Sequence, residues 1–398
     1  MKLLRRGTAL LLSFAIVLGL VGSGFLIRAI AETALEWYNA KYDNLSRYYE
    51  IGNSSDGPAA NGDNEVFADG DQYDEIGGEL NILNWGEYID PELITLFEEE
   101  TGVKVNYVEM TSNEEMLIKL KSSDCVYDMC FPSEYIIEQL IASDLLLPLD
   151  MDKIPNAKNI MQDKLEITNS FDPGNKYSLP YMWGTVGILY NTTMVEEPVT
   201  SWGILWDEKY AGQIWMYDSV RDSIGITLKY LGYDLNTRSE AEIAEARDLL
   251  IAQKPLRKGF GTDNMRASMI NGKAAMAVIY SGDAFVCMDE NEDLAYAVPE
   301  EGSNVWFDNV VIPKSAKNIE AAHAFINFLN DGAIAARNTE YIYYSTPNQA
   351  AMDRLDEYFT GSETYNPPKE VLDRCTVFHD LGDFVSVYNE AWNAIKMK

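Results

Sequence analysis

Histidine, cysteine and basic residues are scarce in this chain. Its 398 residues include two histidines and four cysteines. Neither type occurs at metal-ligand spacing, so the sequence does not indicate a His/Cys metal centre. We interpret the cysteines as structural free thiols. The residues concerned are His323, His379, Cys125, Cys130, Cys287 and Cys375.

The shortage of basic residues leaves the chain strongly acidic. Lys and Arg number 31 against 63 Asp and Glu, which gives a formal net charge of −32. Such a chain repels nucleic acid and anionic lipid, and it concentrates cations around any cleft of the same sign. The charge therefore argues against a nucleic-acid partner.

Motifs of enzyme chemistry are also missing. The sequence contains no G-x-S-x-G nucleophile elbow and no phosphate loop with its lysine. The run Gly259-Phe260-Gly261 lacks the third glycine of a dinucleotide fingerprint. Carboxylates are abundant, but no pattern marks two of them as an acid/base pair. The sequence thus predicts a protein without cofactor, metal or catalytic residues.

The N-terminus carries a membrane signal. Lys2, Arg5 and Arg6 precede an uncharged span, 7–27, which ends at Arg28. A span of this length can cross a bilayer, whereas the core of a signal peptide is about 7–15 residues. The leading basic residues predict a cytoplasmic N-terminus, with the remaining chain on the outer side.

Two readings of the N-terminus remain open. Residues 1–31 are predicted to be a transmembrane anchor, although Ala29-Ile30-Ala31 has the small-x-small form of a cleavage site. Residues 32–78 are predicted to be a juxtamembrane extension and linker. Their second half, 51–78, has six glycines, seven acids and no Lys or Arg, which favours a flexible tether.

An alternating pattern of strands and helices begins at residue 79. Strands are predicted at 80–83, 103–107 and 126–131. A helix opens at Asp90-Pro91 and stops at Gly102, and a second opens at Ser112 or Asn113. This β-α-β-α-β order predicts a parallel sheet with right-handed crossovers. Ligands bind beyond the carboxyl ends of such strands, which here are 85–88, 111–112 and 132–135.

A second α/β block occupies the rest of the chain. Strands are predicted at 214–217 and 275–280, and a helix at 320–329. The length favours two domains. Apolar side chains at helical spacing predict a packed C-terminal helix: Phe384, Val387, Tyr388, Ala391, Trp392 and Ile395.

Aromatic residues lie beside carboxylates at strand ends. Trp85, Glu87 and Tyr88 follow the first predicted strand, and Trp306 and Asp308 precede the apolar run 310–312. Positions i and i+2 of a strand face the same side, so Trp306 and Asp308 can address one group. An aromatic face attracts a cation and packs on methylenes, while a carboxylate neutralises a desolvated ammonium. The pattern predicts a site for a small organic cation.

From about residue 79 onward, the chain resembles the polyamine-binding proteins, the substrate-binding subunits of spermidine/putrescine ABC importers. The resemblance rests on colinear motifs: Asn84-Trp85-Gly86-Glu87-Tyr88, Phe131-Pro132-Ser133-Glu134-Tyr135, Leu179-Pro180-Tyr181-Met182-Trp183-Gly184, Thr200-Ser201-Trp202, Trp306-Phe307-Asp308 and Tyr344-Ser345-Thr346-Pro347-Asn348. It implies a bilobal, periplasmic-binding type 2 α/β fold. Lobe 1 would comprise 79–184 and 307–352, and lobe 2 would comprise 185–306 and 353–398.

The resemblance also implies the ligand residues. Acids would clamp the terminal amines, and aromatics would line the methylene chain. Matched position by position, with Glu87 added from the first motif and Asp283 from the putrescine-type members, the set is Trp85, Glu87, Tyr88, Ser133, Tyr135, Asp222, Tyr280, Asp283, Trp306, Asp308 and Tyr344.

Several positions depart from the spermidine-type pattern. Ser219 stands where that pattern has an acid, Tyr280 replaces a more usual Trp, and Phe378 replaces a polar residue. Asp283 resembles an acid of putrescine-type members, so we predict that it selects between putrescine and spermidine. The partners implied are spermidine or putrescine and the ABC permease, and the protein is expected to be a monomer on the outer face of the membrane.

Other interpretations stay open. The same fold could bind a sugar, whose rings stack on Trp and Tyr, or ferric ion through the adjacent Tyr343 and Tyr344. An extracellular polysaccharide-active enzyme is the alternative from another class. At the residue level, Asp222 could pair with Arg221 or cap a helix instead of binding a ligand.

Overall fold

The computed structural model describes residues 76–397. Nine strands form one mixed sheet. They are β1 Glu79–Trp85, β2 Lys104–Met110, β3 Met129–Cys130, β4 Ser178–Asn191, β5 Ile214–Tyr217, β6 Arg257–Gly261, β7 Met276–Tyr280, β8 Leu294–Ala297 and β9 Val305–Val311.

Helices connect these strands. The α-helices are α1 Pro91–Thr101, α2 Asn113–Lys121, α3 Glu134–Ala142, α4 Gln162–Thr168, α5 Val220–Tyr230, α6 Glu240–Ala252, α7 Asp263–Ile270, α8 Ser281–Glu290, α9 Ile319–Leu329, α10 Gly332–Ile342, α11 Gln349–Met352, α12 Glu357–Thr360, α13 Lys369–Leu372 and α14 Val385–Met397. Short 3-10 helices lie at Met151–Lys153, Pro155–Asn159, Trp202–Trp206, Glu208–Tyr210 and Gly382–Phe384.

The predicted β-α-β-α-β start is confirmed. β1 pairs in parallel with β2 over its whole length and with β3 at Ile82 and Leu83. Asp90 caps α1 by accepting a hydrogen bond from the Glu92 amide, and Gly102 ends it at φ 68°. Glycine takes this left-handed conformation without the steric cost that a side chain would add.

The third strand is shorter than predicted. Residues 126–131 read as a strand, but only Met129 and Cys130 pair with β1. Val126 is 58% exposed, so it contributes nothing to the core. Pro132, two positions after the end of β3, has no N–H to extend the ladder, and α3 then begins at Glu134.

The sheet as a whole is mixed, whereas the first block alone predicts a parallel sheet. Its order is β2-β1-β3-β9-β4-β7-β5-β6, with β8 beside β4. The 14-residue strand β4 pairs antiparallel with β9 up to Thr185 and with β7 and β8 from Val186 and Ile188 onward. One continuous strand therefore joins the two halves of the sheet, each with its own apolar cluster.

The boundary between the linker and the fold differs slightly from the one predicted from the sequence. Ile76 and Gly77 donate backbone hydrogen bonds to the Thr101 carbonyl, and the Gly78 carbonyl accepts one from Lys104. The fold thus includes residues 76–78, which the sequence assigned to the linker. Among residues 76–397, no helix has both the length and the apolar character required to span a bilayer. The predicted anchor, 1–31, and most of the linker lie outside the described residues.

His323, Cys130 and Cys287 are buried, whereas Cys125 and Cys375 are half-buried. His323 on α9 accepts a hydrogen bond from the Asp150 amide at 3.0 Å, and its Nδ1 lies 2.8 Å from the Ile319 carbonyl oxygen. The four cysteines are free thiols. On α14, Tyr388, Ala391 and Ile395 are buried, as their helical spacing predicts.

Candidate functional site

A buried carboxylate, Asp308, lies on β9 at the carboxyl end of β1. The Tyr88 hydroxyl donates to its Oδ2 at 2.8 Å, and the Ser133 hydroxyl donates to its Oδ1 at 2.6 Å. Only 7% of Asp308 is exposed. The turn that carries Tyr88 is fixed by Tyr181, whose hydroxyl donates to the Tyr88 carbonyl at 2.6 Å.

Ser133 occupies the N-cap of α3 without capping it. Its side chain makes no hydrogen bond to the first turn of that helix, because its hydroxyl is directed to Asp308. Asn113, at the start of α2, donates to the Ser133 and Tyr135 hydroxyl oxygens at 2.9 and 3.1 Å. Three helix and strand ends therefore converge on one carboxylate, as expected for the edge of a parallel sheet.

A second buried carboxylate, Asp222, lies in the first turn of α5. The Tyr280 hydroxyl, at the end of β7, donates to its Oδ2 at 2.9 Å. Its Oδ1 is buried and has no hydrogen-bond partner among residues 76–397. Arg221 donates to the His379 carbonyl and the Asn236 side chain, and the helix cap is Ser219. Asp222 was considered as a partner of Arg221 or as a helix cap, and other groups take both of these roles.

Four aromatic rings join the two carboxylates in a continuous row. Ring centroids lie 5.7 Å apart for Tyr88 and Tyr344, 5.1 Å for Tyr344 and Trp306, and 5.8 Å for Trp306 and Tyr280. We call these four residues the aromatic box. Its first ring is hydrogen-bonded to Asp308, and its last to Asp222.

Glycines let the backbone approach the aromatic box closely. A Cβ atom at Gly184 would lie 2.6 Å from the Trp306 ring, and one at Gly282 would lie 2.2 Å from the Tyr344 ring. Such distances are far below van der Waals contact. The absence of a side chain at Gly184 and Gly282 therefore leaves the space that these two rings occupy.

The environment of both carboxylates disfavours their negative charge. Burial raises the pKa of Asp308 to about 6, against the lowering effect of the Ser133 and Tyr88 hydroxyls. Burial likewise raises the pKa of Asp222. Nearby, burial raises the pKa of Glu134 to about 8, although the Phe307 and Phe378 amides donate to it. Within residues 76–397, neither Asp308 nor Asp222 forms a salt bridge. An added cation would relieve this penalty.

The predicted pairing of Trp306 and Asp308 on one side of β9 is confirmed. Trp306 contacts Tyr280 and Tyr344, and Asp308 contacts Tyr88 and Ser133. The intervening Phe307 stacks on Trp183 in the core, with the ring planes 16° apart. The structure therefore brings eight predicted residues together: Tyr88, Ser133, Tyr135, Asp222, Tyr280, Trp306, Asp308 and Tyr344.

The other predicted residues are placed differently. Trp85 is half-buried, and its indole N–H donates to the Phe131 carbonyl at 2.9 Å. Glu87 is exposed in the turn after β1, with φ at 56°. Asp283, in the first turn of α8, forms a salt bridge with Arg266 at 2.8 Å. Asp218, beside the departure at Ser219, forms one with Lys396 at 2.6 Å.

Several residues near the site were not predicted from the sequence. Tyr217, at the end of β5, packs on Tyr280 with centroids 4.6 Å apart. Asn113, Tyr181 and Glu134 make the contacts described above. A signal existed for Tyr217, Asn113 and Glu134, which lie at a strand end or at helix starts, and Tyr181 belongs to one of the motifs that carry the resemblance. Arg266 gave no such signal, since it lies in the middle of a helix.

The adjacent tyrosines occupy separate clusters. Tyr344 belongs to the aromatic box, whereas Tyr343 packs near Phe285 and Phe359. Among residues 76–397, no group of three His, Cys, Asp or Glu side chains is arranged to hold a metal ion. The tyrosine pair therefore does not form the shared oxygen site that ferric ion requires.

Comparison with known proteins decides the family. The model of the bacterial extracellular solute-binding protein family matches residues 92–363. The chain belongs to this family. As a solute-binding protein, it has the family's α/β fold, and the resemblance to polyamine-binding proteins is confirmed by its relatives.

Two curated relatives illustrate the relationship. The spermidine/putrescine-binding periplasmic protein of Escherichia coli is 35% identical over 80% of this solute-binding protein and 91% of its own length. The putrescine-binding periplasmic protein SpuD of Pseudomonas aeruginosa is 32% identical, with the same coverage.

A solved structure agrees with both. The spermidine/putrescine ABC transporter substrate-binding protein of Streptococcus pneumoniae is 42% identical, with a TM-score of 0.73. The match covers 81% of this chain and 99% of that chain.

Proposed function

We propose that this protein is the extracytoplasmic substrate-binding subunit of an ABC importer, and that it captures polyamines, spermidine and/or putrescine. It would deliver them to a membrane permease without chemical change. Relatives named as spermidine/putrescine-binding periplasmic proteins support the class of ligand.

One observation carries the proposal. The aromatic box ends in a buried carboxylate on each side, and neither carboxylate is paired with a basic side chain within residues 76–397. A linear diamine matches this arrangement, because its ammonium groups can meet Asp308 and Asp222 while its methylenes lie on the rings. The unpartnered Asp222 Oδ1 would accept an N–H from the ligand.

The transport cycle depends on the two proposed lobes. Lobe 1 comprises 79–184 and 307–352, and lobe 2 comprises 185–306 and 353–398. The change of partners along β4, from β9 to β7 between Thr185 and Val186, supports that division. Capture would close the lobes over the ligand, as in other hinged binding proteins. We propose that the protein acts as a monomer outside the cytoplasm, tethered to the membrane if its N-terminal segment is retained.

Calorimetric titration tests the proposal directly. The protein is titrated with putrescine, spermidine, a panel of mono- and disaccharides, and ferric citrate. Saturable binding of a polyamine, with no heat from the sugars or iron, is the expected result. Sugar or iron binding without polyamine binding would overturn it, and turnover of a polysaccharide would favour the enzyme alternative.

A further inference from the structure

The salt bridge between Arg266 and Asp283 lies next to the aromatic box. Asp283 stands in the first turn of α8, and Arg266 lies on the preceding helix α7. The guanidinium Nη1 lies 2.8 Å from Asp283 Oδ1. Their side chains are 33% and 21% exposed, so the pair is neither in the core nor fully solvated.

Two observations connect this pair to the box. Gly282, the neighbour of Asp283, is held against the Tyr344 ring so closely that a Cβ would lie 2.2 Å from it. The charges of Asp283 and Arg266 also act on the Tyr344 hydroxyl: burial raises the pKa of Tyr344, Asp283 raises it further, and Arg266 lowers it. The pair therefore acts on the same ring that contacts Trp306 and Tyr88.

We propose that Arg266 is a built-in cation that neutralises Asp283 and so keeps this third acid from attracting a ligand ammonium. The idea rests on the proposed polyamine function and deepens it. Arg266 is then a specificity-determining residue, because it leaves Asp222 and Asp308 as the two carboxylates that face the ligand. The sequence alone suggested that Asp283 itself binds an amine.

The two assignments predict different results in a double-mutant cycle. If Arg266 neutralises Asp283, R266M makes the charge beside the site more negative by one unit, and D283N makes it more positive by one unit. At the effective dielectric of partly exposed sites, one unit charge nearby changes the affinity for a dication by about tenfold. R266M should therefore tighten the binding of putrescine and spermidine, and D283N should weaken it. The double variant R266M/D283N should bind both ligands with nearly the wild-type affinity.

The experiment measures calorimetric Kd values for the full chain and these three variants. R247M is the matched control, because Arg247 forms a comparable salt bridge with Asp248 on α6. Its Kd should not change. Thermal unfolding of each variant checks the fold, and R266Q replaces R266M if that protein is unstable.

Two outcomes would overturn the inference. If D283N loses affinity about a hundredfold or more, and the double variant is not rescued, then Asp283 contacts an amine directly. If neither single variant changes the Kd, then the pair lies outside the reach of the ligand. Failure of the unchanged protein to bind any polyamine is a separate result, which overturns the proposed function and this inference with it.

Discussion

At the scale of single residues, Asp308 is the group on which ligand binding should depend most. It is 7% exposed, accepts hydrogen bonds from Tyr88 and Ser133, and ends the aromatic row. In the proposed complex it would be the buried partner of an ammonium group. Such a pair is costly to break, because the remaining charge stays desolvated.

The variant Asp308→Asn should therefore bind polyamines about a hundredfold or more weakly, since removing one partner of a buried ion pair typically costs about 3–5 kcal/mol. Calorimetry with putrescine and spermidine measures the change. Asp144→Asn is the control, because Asp144 pairs with Lys314 on the surface. An unchanged Kd in a folded Asp308→Asn protein would remove Asp308 from the site.

Binding should also weaken in acid. Burial raises the pKa of Asp308 to about 6 and that of Asp222 in the same direction. At a pH below the pKa of a site carboxyl group, that group holds a proton in the empty site, which a ligand ammonium must displace. For one group with a pKa of about 6, affinity should fall about tenfold between about pH 8 and pH 5. Calorimetric titrations across this pH range measure the change in affinity. An affinity that does not depend on pH would contradict the proposal that the ionised carboxylates bind the ligand.

At the scale of elements, the N-terminus of α8 positions the aromatic box. Gly282 gives the Tyr344 ring the space it occupies. The variant Gly282→Ala places a methyl group 2.2 Å from that ring, so the ring or the helix must move. We expect overpacking to lower stability by about 1–3 kcal/mol and polyamine affinity with it. Urea unfolding and calorimetry measure both, and a variant that keeps both values would show that the ring can move without cost.

The segment 377–380 forms hydrogen bonds with residues on two sides of it. From α3, Glu134 accepts from the Phe378 amide, and Glu138 accepts from the Asp380 amide. From the other side, Asn236 accepts from the His379 amide and donates to the Val377 carbonyl. This segment therefore connects residues that we assign to different lobes.

The stability of this segment should depend on pH through His379. The hydrogen bond from His379 to Glu138 raises the pKa of the imidazole. Because the folded-state pKa is the higher one, the stabilisation is fully present below the unfolded value of about 6.5 and is lost as the pH rises through the folded value. The pair is partly exposed, with side chains 37% and 24% accessible, so the effect should be at most about 1 kcal/mol.

Urea unfolding of the wild-type protein and of His379→Gln, at about pH 6 and about pH 9, tests this pH dependence of stability. The difference in unfolding free energy between the two proteins should be larger at the lower pH. Glu138→Gln should remove the same pH dependence. An equal difference at both pH values would mean that the ion pair contributes nothing measurable.

At the scale of the whole molecule, the folded unit should function without its N-terminal segment. Ile76 and Gly77, at the start of the described residues, are already hydrogen-bonded to Thr101, and every residue of the candidate site follows them in the chain. A protein lacking residues 1–75 should be soluble, monomeric and as tight a polyamine binder as the full chain. Calorimetry and analytical ultracentrifugation check both statements, and a folded but non-binding protein would contradict them.

Much of the site could be predicted because local patterns place it. The strand-helix alternation puts Tyr88 and Ser133 at one edge of the sheet, and the i, i+2 spacing puts Trp306 beside Asp308. The opening parallel strands, the Asp90 and Gly102 caps and the C-terminal helix follow from the same local rules. The short length of the third strand was not predicted, because it depends on which residues have a pairing partner in the sheet and not on local β-propensity.

The sequence by itself determined the fold class, the acidic balance that suits a cationic ligand, and the types of residue in the site. Only the tertiary structure decided how these residues are connected. Tyr88 and Asp308 are 220 positions apart, and Tyr280 and Asp222 are 58 apart. No local periodicity encodes contacts of that range, since they depend on how strands from both halves of the sheet are brought together. For the same reason, the pairing of Asp283 with Arg266 became visible only in the folded chain.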